Sequence, residues 1–397
     1  MKNIYRFLLL FISVLVVLQN VGAQYDTTKP VKVAVFIPLY VDDIFDGYNY
    51  SLGKSNLPKN ILPGLEFYNG VSMAIDSLNM EGAKVEISIY DTKQTSQTLH
   101  DLFAKPEMNN VGLIIAAITN TTELKTFADH ALTRSIPLVS ATYPNYVGVS
   151  ANPYFVLLNS SFQAHLQGLY KHMQRFYSSN QIVAVTKKGG ANENFIRTYI
   201  TRLNQNNRSI PLKIKWLAID ENKMSMADFK SSLDSTKKNV VFVASPLESF
   251  GLKVVKTLSS TETYQTTAIG MPTWDNIKDL DKPECGNVEI VFSTPFLYYS
   301  QNPTLSSLVN SRYKEKYFSR PSDMVFKGFE ITYHFTKLLA KHKYNLANNL
   351  SDKDFTLFNN FMLQPVKLKS ASLKPDFLEN KKLYFIKKQQ GSVKSVI

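Results

Sequence analysis

The stretch IPLVSATYPNYVGVSANPYFVLLNSS, residues 136–161, contains two apolar runs with no helical pattern between them. Residues 136–140 and residues 154–158 both have the composition of a buried strand in a parallel sheet. Strand and helix patterns alternate elsewhere in the chain, so the missing helix predicts a crossing from one sheet to another. Ligands of open parallel sheets bind at the carboxyl ends of the strands. The small and hydroxylated residues 140–145 are therefore predicted to line a binding cleft.

Strand and helix patterns alternate on both sides of this stretch. Further strands are predicted at residues 31–39, 83–90, 111–118, 181–186, 213–219, 239–244, 267–270 and 288–293. Residues 382–386 and 392–396 are predicted to form a terminal hairpin. The order predicts an α/β protein with two similar halves, each with a parallel sheet of four strands covered by helices.

Two helix starts are predicted from local patterns. Asn120 and Glu123 are spaced as the first and last residues of a capping box, and so are Ser245 and Glu248, with a proline directly after Ser245. Both boxes follow a predicted strand. Each therefore places a helix N-terminus at the carboxyl edge of a sheet.

The first 23 residues have the layout of a secretory signal peptide. Lys2 and Arg6 precede an apolar core at residues 7–18, and small residues follow before Gln24, the predicted mature start. The apolar run is shorter than the ~20 residues that a membrane span needs. No cysteine follows it to carry a lipid. We therefore expect a periplasmic protein that is not inserted in the membrane after cleavage.

Charge and cysteine content narrow the class of protein further. Removal of Lys2 and Arg6 lowers the formal net charge from +13 to +11. Positive charge can favour anionic ligands, cell-wall polymers or membrane surfaces, although scattered lysines fit a solvated basic face. The single cysteine, Cys285, excludes an internal disulfide. An exported chain held together by packing alone suits a large bacterial periplasmic protein.

The sequence lacks the patterns of the common catalytic and cofactor sites. It contains no G-x-S-x-G, H-E-x-x-H or P-loop motif, and no G-x-G-x-x-G follows the first strand. His165 and His172 are spaced to share one helix face rather than a metal ion. Clustered basic and aromatic residues for nucleic-acid binding are also missing. We expect no enzymatic activity, no cofactor, no metal and no nucleic-acid partner.

Three segments together resemble a known family. VKVAVFIPL (31–39) and PGLEFYNGVSMAIDSLNMEGAKVEISIYDT (63–92) are similar to the opening of type 1 periplasmic binding proteins. VEIVFSTPFLYYSQNPTLSSLVNSRYKEKYFSRPSDMVFKGFEITYHFTKLL (288–339) resembles that family's late segment. The family includes the leucine/isoleucine/valine-binding proteins and shares its fold with receptor ligand-binding ectodomains. The resemblance covers nearly the whole chain after residue 30 in element order.

The resemblance implies two Rossmann-like lobes with parallel sheets, joined by a three-strand hinge. Lobe 1 would comprise residues 30–147 and 286–345, and lobe 2 residues 148–285 and 346–397. In this family the carboxylate of an amino-acid ligand is held after the third and fourth strands of lobe 1. The matching residues here are Thr119, Asn120, Thr121, Ala141, Thr142 and Tyr143.

Helix N-termini supply free N–H groups to an anion, which fits a carboxylate site at Asn120. The alternative is that Asn120 and Thr121 only cap their own helix. Residues 116–119 read AAIT where many relatives place glycine and serine. This departure weakens the assignment of an amino-acid ligand.

The resemblance also implies ligand-binding residues from lobe 2. The matching strand ends carry Gly190, Asn192, Ser245, Glu248, Trp274 and Asp275. Asp275 or Glu248 could hold the ammonium group of a ligand, although Glu248 could instead complete its capping box. Trp274 could form an aromatic wall of the cleft or pack in the interior. Tyr40, after the first strand, could close over the ligand or cover its own loop.

The resemblance implies a solute-binding protein of an ABC-type uptake system. Its two lobes would close on a small polar ligand, an amino acid or a related metabolite, by hinge motion. The expected partner is this small molecule, and a membrane permease is left open as a second partner. The alternative is an exported interaction or regulatory protein on the same fold, acting for example at the cell wall. The departure at residues 116–119 and the basic C-terminal tail keep that alternative open.

Overall fold

The computed structural model describes residues 29–53, 56–206, 210–299, 302–369, 374–390 and 392–396. The predicted signal peptide and Gln24 lie outside these ranges. Among the described residues, no helix combines the length and the apolar character needed to cross a bilayer.

The described chain alternates strands and helices. The strands are β1 (Val31–Ile37), β2 (Phe45–Asp46), β3 (Asn49–Tyr50), β4 (Val85–Asp91), β5 (Val111–Ala116), β6 (Leu138–Ser140), β7 (Phe155–Leu157), β8 (Gln181–Lys187), β9 (Lys213–Ile219), β10 (Asn239–Val243), β11 (Thr266–Ile269), β12 (Val288–Thr294), β13 (Leu363–Val366), β14 (Phe377–Asn380), β15 (Tyr384–Gln389) and β16 (Ser392–Val396). The α-helices are α1 (Val41–Ile44), α2 (Leu62–Met80), α3 (Leu99–Phe103), α4 (Thr121–Arg134), α5 (Phe162–Tyr177), α6 (Ala191–Gln205), α7 (Ala227–Lys230), α8 (Glu248–Ser259), α9 (Pro303–Tyr317) and α10 (Asp323–His342).

The strands form two seven-stranded sheets and one small hairpin of β2 and β3. The first sheet has the order β13-β14-β7-β6-β5-β1-β4, and the second has the order β16-β15-β12-β11-β10-β8-β9. Within the two large sheets, pairing is parallel except for β13 with β14, β12 with β15, and β15 with β16. The predicted two-lobed α/β fold and the predicted terminal hairpin are both confirmed. Each of the two large sheets has seven strands, whereas four were predicted for each half.

The apolar runs form strands because helices cover both faces of each sheet. In β1, Val33, Val35 and Ile37 point into one hydrophobic core, while Ala34 and Phe36 point into the core on the opposite face. All five are at most 1% exposed. A strand buried on both faces needs a continuous apolar sequence rather than an alternating one. The continuous apolar runs in the sequence therefore predicted the positions of the strands.

The sheet crossing does not occur where the missing helix predicted it. β7 pairs in parallel with β6, with Ser140 opposite Leu157, so both strands belong to the first sheet. The connecting residues 141–154 contain no helix. They can return along β6 without one because a three-residue strand is only about 10 Å long. The crossing follows β7 instead of preceding it.

The chain passes between the sheets after β7, after β12 and after β14, which gives the predicted three-strand hinge. Hydrogen bonds join the crossing segments. The Ser160 hydroxyl donates to the carbonyl oxygen of Asn380 (2.7 Å), and the Ser161 N–H donates to the Glu379 carboxylate (2.8 Å). The segments that connect the lobes therefore support one another.

Sheet membership differs from the predicted lobe ranges in three places. β7 lies in the first sheet although residues 148–285 were predicted for lobe 2. β12 lies in the second sheet although residues 286–345 were predicted for lobe 1. Residues 346–397 contribute β13 and β14 to the first sheet and β15 and β16 to the second. All three differences lie at strands that flank the hinge.

Helix α10 is fixed to the first lobe by a close approach to α2. A Cβ atom on Gly70 would lie 2.1 Å from the carbonyl oxygen of Val325, and one on Gly328 would lie 2.2 Å from that of Phe67. Only glycine permits the two backbones to come this near. The first turn of α10 is thereby held at a fixed position in lobe 1.

Candidate functional site

Every candidate residue chosen from the sequence lies at or just beyond the carboxyl end of a strand. In the first sheet, Tyr40 follows β1, residues 119–121 follow β5 and residues 141–143 follow β6. In the second sheet, residues 190–192 follow β8, residues 245–248 follow β10 and residues 274–275 follow β11. These are the edges at which ligands of parallel sheets bind. The candidates differ, however, in whether their polar groups are free.

The start of α4 confirms one half of the predicted capping box. The Asn120 side chain accepts a hydrogen bond from the Glu123 N–H at 2.9 Å and so caps its own helix. The Glu123 carboxylate does not return to the Asn120 N–H. It accepts from the N–H and the hydroxyl of Thr119 instead, both at 2.9 Å.

Lys93, which follows β4, completes this first-lobe network. Its ammonium forms an ion pair with Glu123 and donates to the Thr119 hydroxyl at 2.9 Å. The Glu123 carboxylate thus binds Thr119, one of the residues for which the resemblance implied contact with the carboxylate of a ligand. The N–H and hydroxyl of Thr119 are already occupied by the chain itself. Local spacing could not reveal this, because Lys93 is 30 residues from Glu123.

The candidates after β6 are also engaged internally. The Ala141 N–H donates to the Ala116 carbonyl, and the residue is completely buried. The Thr142 hydroxyl donates to the Ile118 carbonyl at 2.8 Å. The Tyr143 hydroxyl lies 3.0 Å from the hydroxyl of Thr121. These contacts hold the loops after β5 and β6 together.

Tyr40 is positioned by the end of β4. It adopts a left-handed backbone conformation (φ 56°), and the Asp91 carboxylate accepts hydrogen bonds from the N–H groups of Leu39 and Val41 at 2.9 Å each. The Lys93 ammonium lies 5.9 Å from the centroid of the Tyr40 ring. Tyr40 therefore belongs to the same first-lobe network as Lys93.

The second predicted capping box is wrong. Helix α8 begins at Glu248 with Leu247 at its N-cap, and no side chain caps it. The buried Ser245 hydroxyl donates to the Glu193 carboxylate at 2.5 Å, so a residue 52 positions away competes successfully for it. Glu248 is exposed in the first turn of the helix.

Gly190 explains how Glu193 reaches Ser245. A Cβ atom on Gly190 would lie 1.8 Å from one Glu193 carboxylate oxygen, so glycine at the N-cap of α6 makes room for that side chain. Asn192 is exposed in the first turn of α6. Of the four candidates after β8 and β10, Asn192 and Glu248 are exposed and could contact a ligand.

Trp274 packs in the interior and does not form a wall of the cleft. Its side chain is completely buried in the core of the second lobe. Cβ atoms on Gly270 and Gly251 would lie 2.0 Å and 2.4 Å from its indole ring. Two glycines thus shape a pocket for this one ring, and this decides between the two roles considered for it.

Asp275, the next residue, points the other way. Its side chain is open to solvent, yet the surrounding protein excludes enough water to raise the pKa of its carboxyl. The Thr294 hydroxyl, Lys388 and Lys327 act in the opposite direction by favouring the carboxylate. An accessible carboxyl with a raised pKa is typical of a recess between protein surfaces.

Two side chains from the first turns of α10 are influenced by the charge of Asp275. Burial lowers the pKa of Lys327 to about 8, even though the charges of Asp323 and Asp275 oppose that shift. Burial and the charge of Asp275 raise the pKa of Asp323. The Lys327 ammonium lies 4.2 Å from the centroid of the Phe296 ring. Sequence reasoning missed Asp323 and Lys327, which fall within an ordinary amphipathic helix pattern.

We refer to Asp275, Asp323 and Lys327 as the cleft cluster. Asp275 follows a strand of the second sheet, whereas Asp323 and Lys327 lie on a helix that is fixed to the first lobe. Their charges act on one another, but no ion pair involves any of them in the part of the chain that the structure describes. The cluster therefore contains carboxylate and ammonium groups that belong to different lobes and act on one another's pKa.

No protein-family model matches the chain, and no curated protein matches it. Solved structures do. A branched-chain amino acid ABC transporter protein from Rhodospirillum rubrum has a TM-score of 0.65 and 12% identity over 92% of this chain and 100% of that one. An ABC transporter substrate-binding protein from Desulfitobacterium hafniense, in complex with Leu, has a TM-score of 0.58 and 11% identity over 93% of this chain and 100% of that one. A fatty acid ABC transporter substrate-binding protein from Thermomonospora curvata has a TM-score of 0.50 and 12% identity over 93% of this chain and 91% of that one.

The chain has the fold of type 1 periplasmic binding proteins, as the resemblance predicted. Several of the solved neighbours are described as substrate-binding proteins of ABC transporters. Their ligands differ, since one is described with an amino acid and another with fatty acids. The fold alone does not define the ligand, which depends on the side chains at the strand ends.

Proposed function

We propose that this protein captures a small polar solute, an amino acid or a related metabolite, between its two lobes. The observation that carries the proposal is the cleft cluster, in which the charge of Asp275 of one lobe acts on the pKa of Asp323 and of Lys327 of the other. Partly desolvated charges without partners are costly unless a ligand completes them. A charged ligand between the lobes would supply the missing partners.

Hinge closure would couple binding to a change of shape. The three crossing segments join the lobes beside the cluster, and a ligand that contacts both lobes favours the closed arrangement by its differential affinity. The closed form would then be recognised by a membrane permease of an ABC-type uptake system. The signal-peptide pattern and the solved neighbours support such a role in the periplasm.

One observation favours the second candidate, an exported interaction protein on the same fold. Glu123 binds Thr119, one of the residues for which the resemblance implied contact with a ligand carboxylate. A cleft that no longer binds a small molecule could accumulate such internal contacts. An interaction protein would instead need an exposed apolar or basic surface for its partner.

Thermal unfolding of residues 24–397 against amino acids, nucleobases, short peptides and cell-wall fragments separates the two candidates. The protein is first unfolded and refolded to remove carried-over ligand. A ligand at 100 times its dissociation constant adds about 2.7 kcal/mol, which is a visible shift in midpoint. We expect a shift with a small charged solute that Asp275→Asn abolishes and that Asp129→Asn, an exposed carboxylate on α4, retains.

A panel that leaves the midpoint unchanged contradicts solute capture and favours the interaction protein. A shift that survives Asp275→Asn places the ligand away from the cleft cluster and contradicts the mechanism proposed here.

A further inference from the structure

A cavity of about 520 Å³, which we call the hinge groove, is lined by parts of both lobes. One wall is the part of α5 between residues 164 and 176, which packs in the second lobe. The other wall is formed by Met362 and Gln364, at the edge strand β13 of the first sheet, and by residues 381–385, which lead from the first sheet into the second. None of the ligand-binding candidates considered above lines the hinge groove, and its size is that of a pocket for a small molecule. A ligand bound there goes beyond the proposed function.

Four cationic side chains and no carboxylate line the hinge groove. Lys171 and Arg175 lie on α5, and Lys381 and Lys382 follow β14. Lys381 is ion-paired with the buried carboxylate of Glu379, whereas the other three cations form no ion pair with any residue that the structure describes. Lys171 and Arg175 are four residues apart on one helix, where like charges destabilise each other. The groove thus keeps three positive charges that the described chain does not neutralise.

Aromatic rings also line the groove. The His172 and Phe385 rings are nearly parallel, with centroids 4.1 Å apart, and the Phe176 ring centroid lies 4.7 Å from that of His172. Phe176 is 42% exposed, so it offers an apolar surface to a ligand. Burial and the charge of Arg175 lower the pKa of His172 to about 4, so its imidazole is neutral at pH 7 and adds no charge. A solvated basic face, the simpler explanation for scattered lysines, requires neither a concave shape nor aromatic rings beside the charges.

We infer that the hinge groove binds an organic phosphate, in which a phosphate monoester is joined to a flat apolar body. A phosphate monoester has a charge of about −1.5 to −2 at pH 7 and three strong acceptor oxygens, and three cations of the groove lack an acidic partner. The planar guanidinium of Arg175 suits a phosphate because it can donate two parallel N–H groups. The rings of Phe176 and Phe385 pack against the apolar body. A monocarboxylate has too little charge to neutralise the groove.

Calorimetric titration of the refolded chain, residues 24–397, tests this with matched probes at pH 7. Phenyl phosphate is compared with inorganic phosphate, which lacks the ring, with benzoate, which has a single charge, and with phthalate, whose two charges lie on separate carboxylates. We expect phenyl phosphate to bind roughly 10-fold more tightly than inorganic phosphate, because one apolar ring is then removed from water. It should also bind more tightly than benzoate and phthalate, and its affinity should fall as the ionic strength rises.

Variants assign the individual contacts. Lys171→Met and Arg175→Met should each weaken the binding of phenyl phosphate and of inorganic phosphate roughly 10-fold, the effect of one lost hydrogen bond between charged groups. Phe176→Ala should weaken phenyl phosphate and leave inorganic phosphate unchanged, because only the ester has a ring to pack. Lys125→Met removes an exposed lysine on α4, outside the groove, and should leave both affinities unchanged. Circular dichroism and the unfolding midpoint verify that each variant is folded.

Three results would overturn the inference. If phenyl phosphate does not bind, or binds the double variant Lys171→Met and Arg175→Met as tightly as the original protein, these cations form only a solvated face. If benzoate or phthalate binds as tightly as phenyl phosphate, the assigned ligand class is wrong. If the protein binds vesicles of phosphatidylcholine with phosphatidic acid but not phenyl phosphate, the cations serve a membrane surface rather than a small molecule. Solute capture in the cleft depends on its own panel and is unaffected by these results.

Discussion

Two groups of charged side chains at the strand ends differ in how their charges are satisfied. The Glu123 carboxylate accepts hydrogen bonds from Thr119 and forms an ion pair with Lys93. The cleft cluster has charges of both signs but no ion pair among the described residues. The first group lies within one lobe, whereas the second is divided between two. The first group stabilises its lobe, and we propose that the second is completed by a ligand.

The largest effect on the free energy of unfolding is expected from substitutions that remove one partner of the Glu123–Lys93 ion pair. Removal of one partner from a largely buried ion pair leaves the other charge uncompensated. We expect Glu123→Gln or Lys93→Met to lower the free energy of unfolding by about 2–3 kcal/mol, measured by urea denaturation at pH 7. The double variant should lose less than the sum of the two single changes, because neither charge is then left alone.

Asp129→Asn provides the control for this prediction. Asp129 is exposed on the same helix as Glu123, and surface changes of this kind stay within about 0.5 kcal/mol. Strictly additive losses in the double variant would show that Glu123 and Lys93 contribute independently. The contrast between the two groups would then not rest on this ion pair.

In the cleft cluster, by contrast, removal of the Lys327 charge is expected to raise the free energy of unfolding. Burial lowers the pKa of Lys327 from 10.5 to about 8 in the folded protein. Between these values the unfolded chain holds a proton that the folded chain has lost, so the free energy of unfolding rises with pH in this window. Lys327→Met removes that dependence. At pH 7 the variant should be more stable than the original by about 2 kcal/mol.

This advantage of Lys327→Met should shrink as the pH rises from about 8 and vanish near 10.5. Urea denaturation at several pH values measures it. Lys125→Met, at an exposed position, gives the reference for the other groups that titrate in the same range. A difference that stays constant with pH would mean that the folded protein does not disfavour the Lys327 ammonium.

The sequence predicted the buried strands better than it predicted the cleft cluster, and the difference has a physical reason. Strands buried on both faces need continuous apolar runs, so β1, β5 and β10 were visible locally. β13 and β14 were not predicted, because these two short strands contain polar residues, β13 also contains a proline, and β14 pairs with β7, which is distant in the chain. Burial and pairing that depend on distant residues leave little local pattern.

The same reason separates the successes and failures at the site. Asn120 caps its own helix because its partner, the Glu123 N–H, is three residues away. The cap predicted at Ser245 failed because Glu193 reaches its hydroxyl from another strand end. Lys327 could not be recognised, since its environment is created by Phe296 and by a carboxylate of the other lobe. The candidate site depends on tertiary contacts that no motif contains.

The smallest expected effect is on the pKa of Lys327, which depends on the charges of Asp323 and Asp275. Both carboxylates favour the charged form of Lys327, and the effect of Asp323 is larger than that of Asp275. Asp323→Asn should therefore lower the pKa of Lys327 more than Asp275→Asn does, with both changes in the same direction. Side-chain NMR titration of labelled lysine measures the pKa, and Asp129→Asn should leave it unchanged.

The Asp275 variant in this titration also reports on the separation of the lobes. Asp323 lies on the same helix as Lys327, so their coupling does not depend on the hinge. Asp275 reaches Lys327 only across the cleft. If Asp323→Asn lowers the pKa of Lys327 and Asp275→Asn leaves it unchanged, the lobes stand farther apart in solution, and the cluster forms only when the ligand brings its two halves together. If both lower it, the cluster is assembled before a ligand binds.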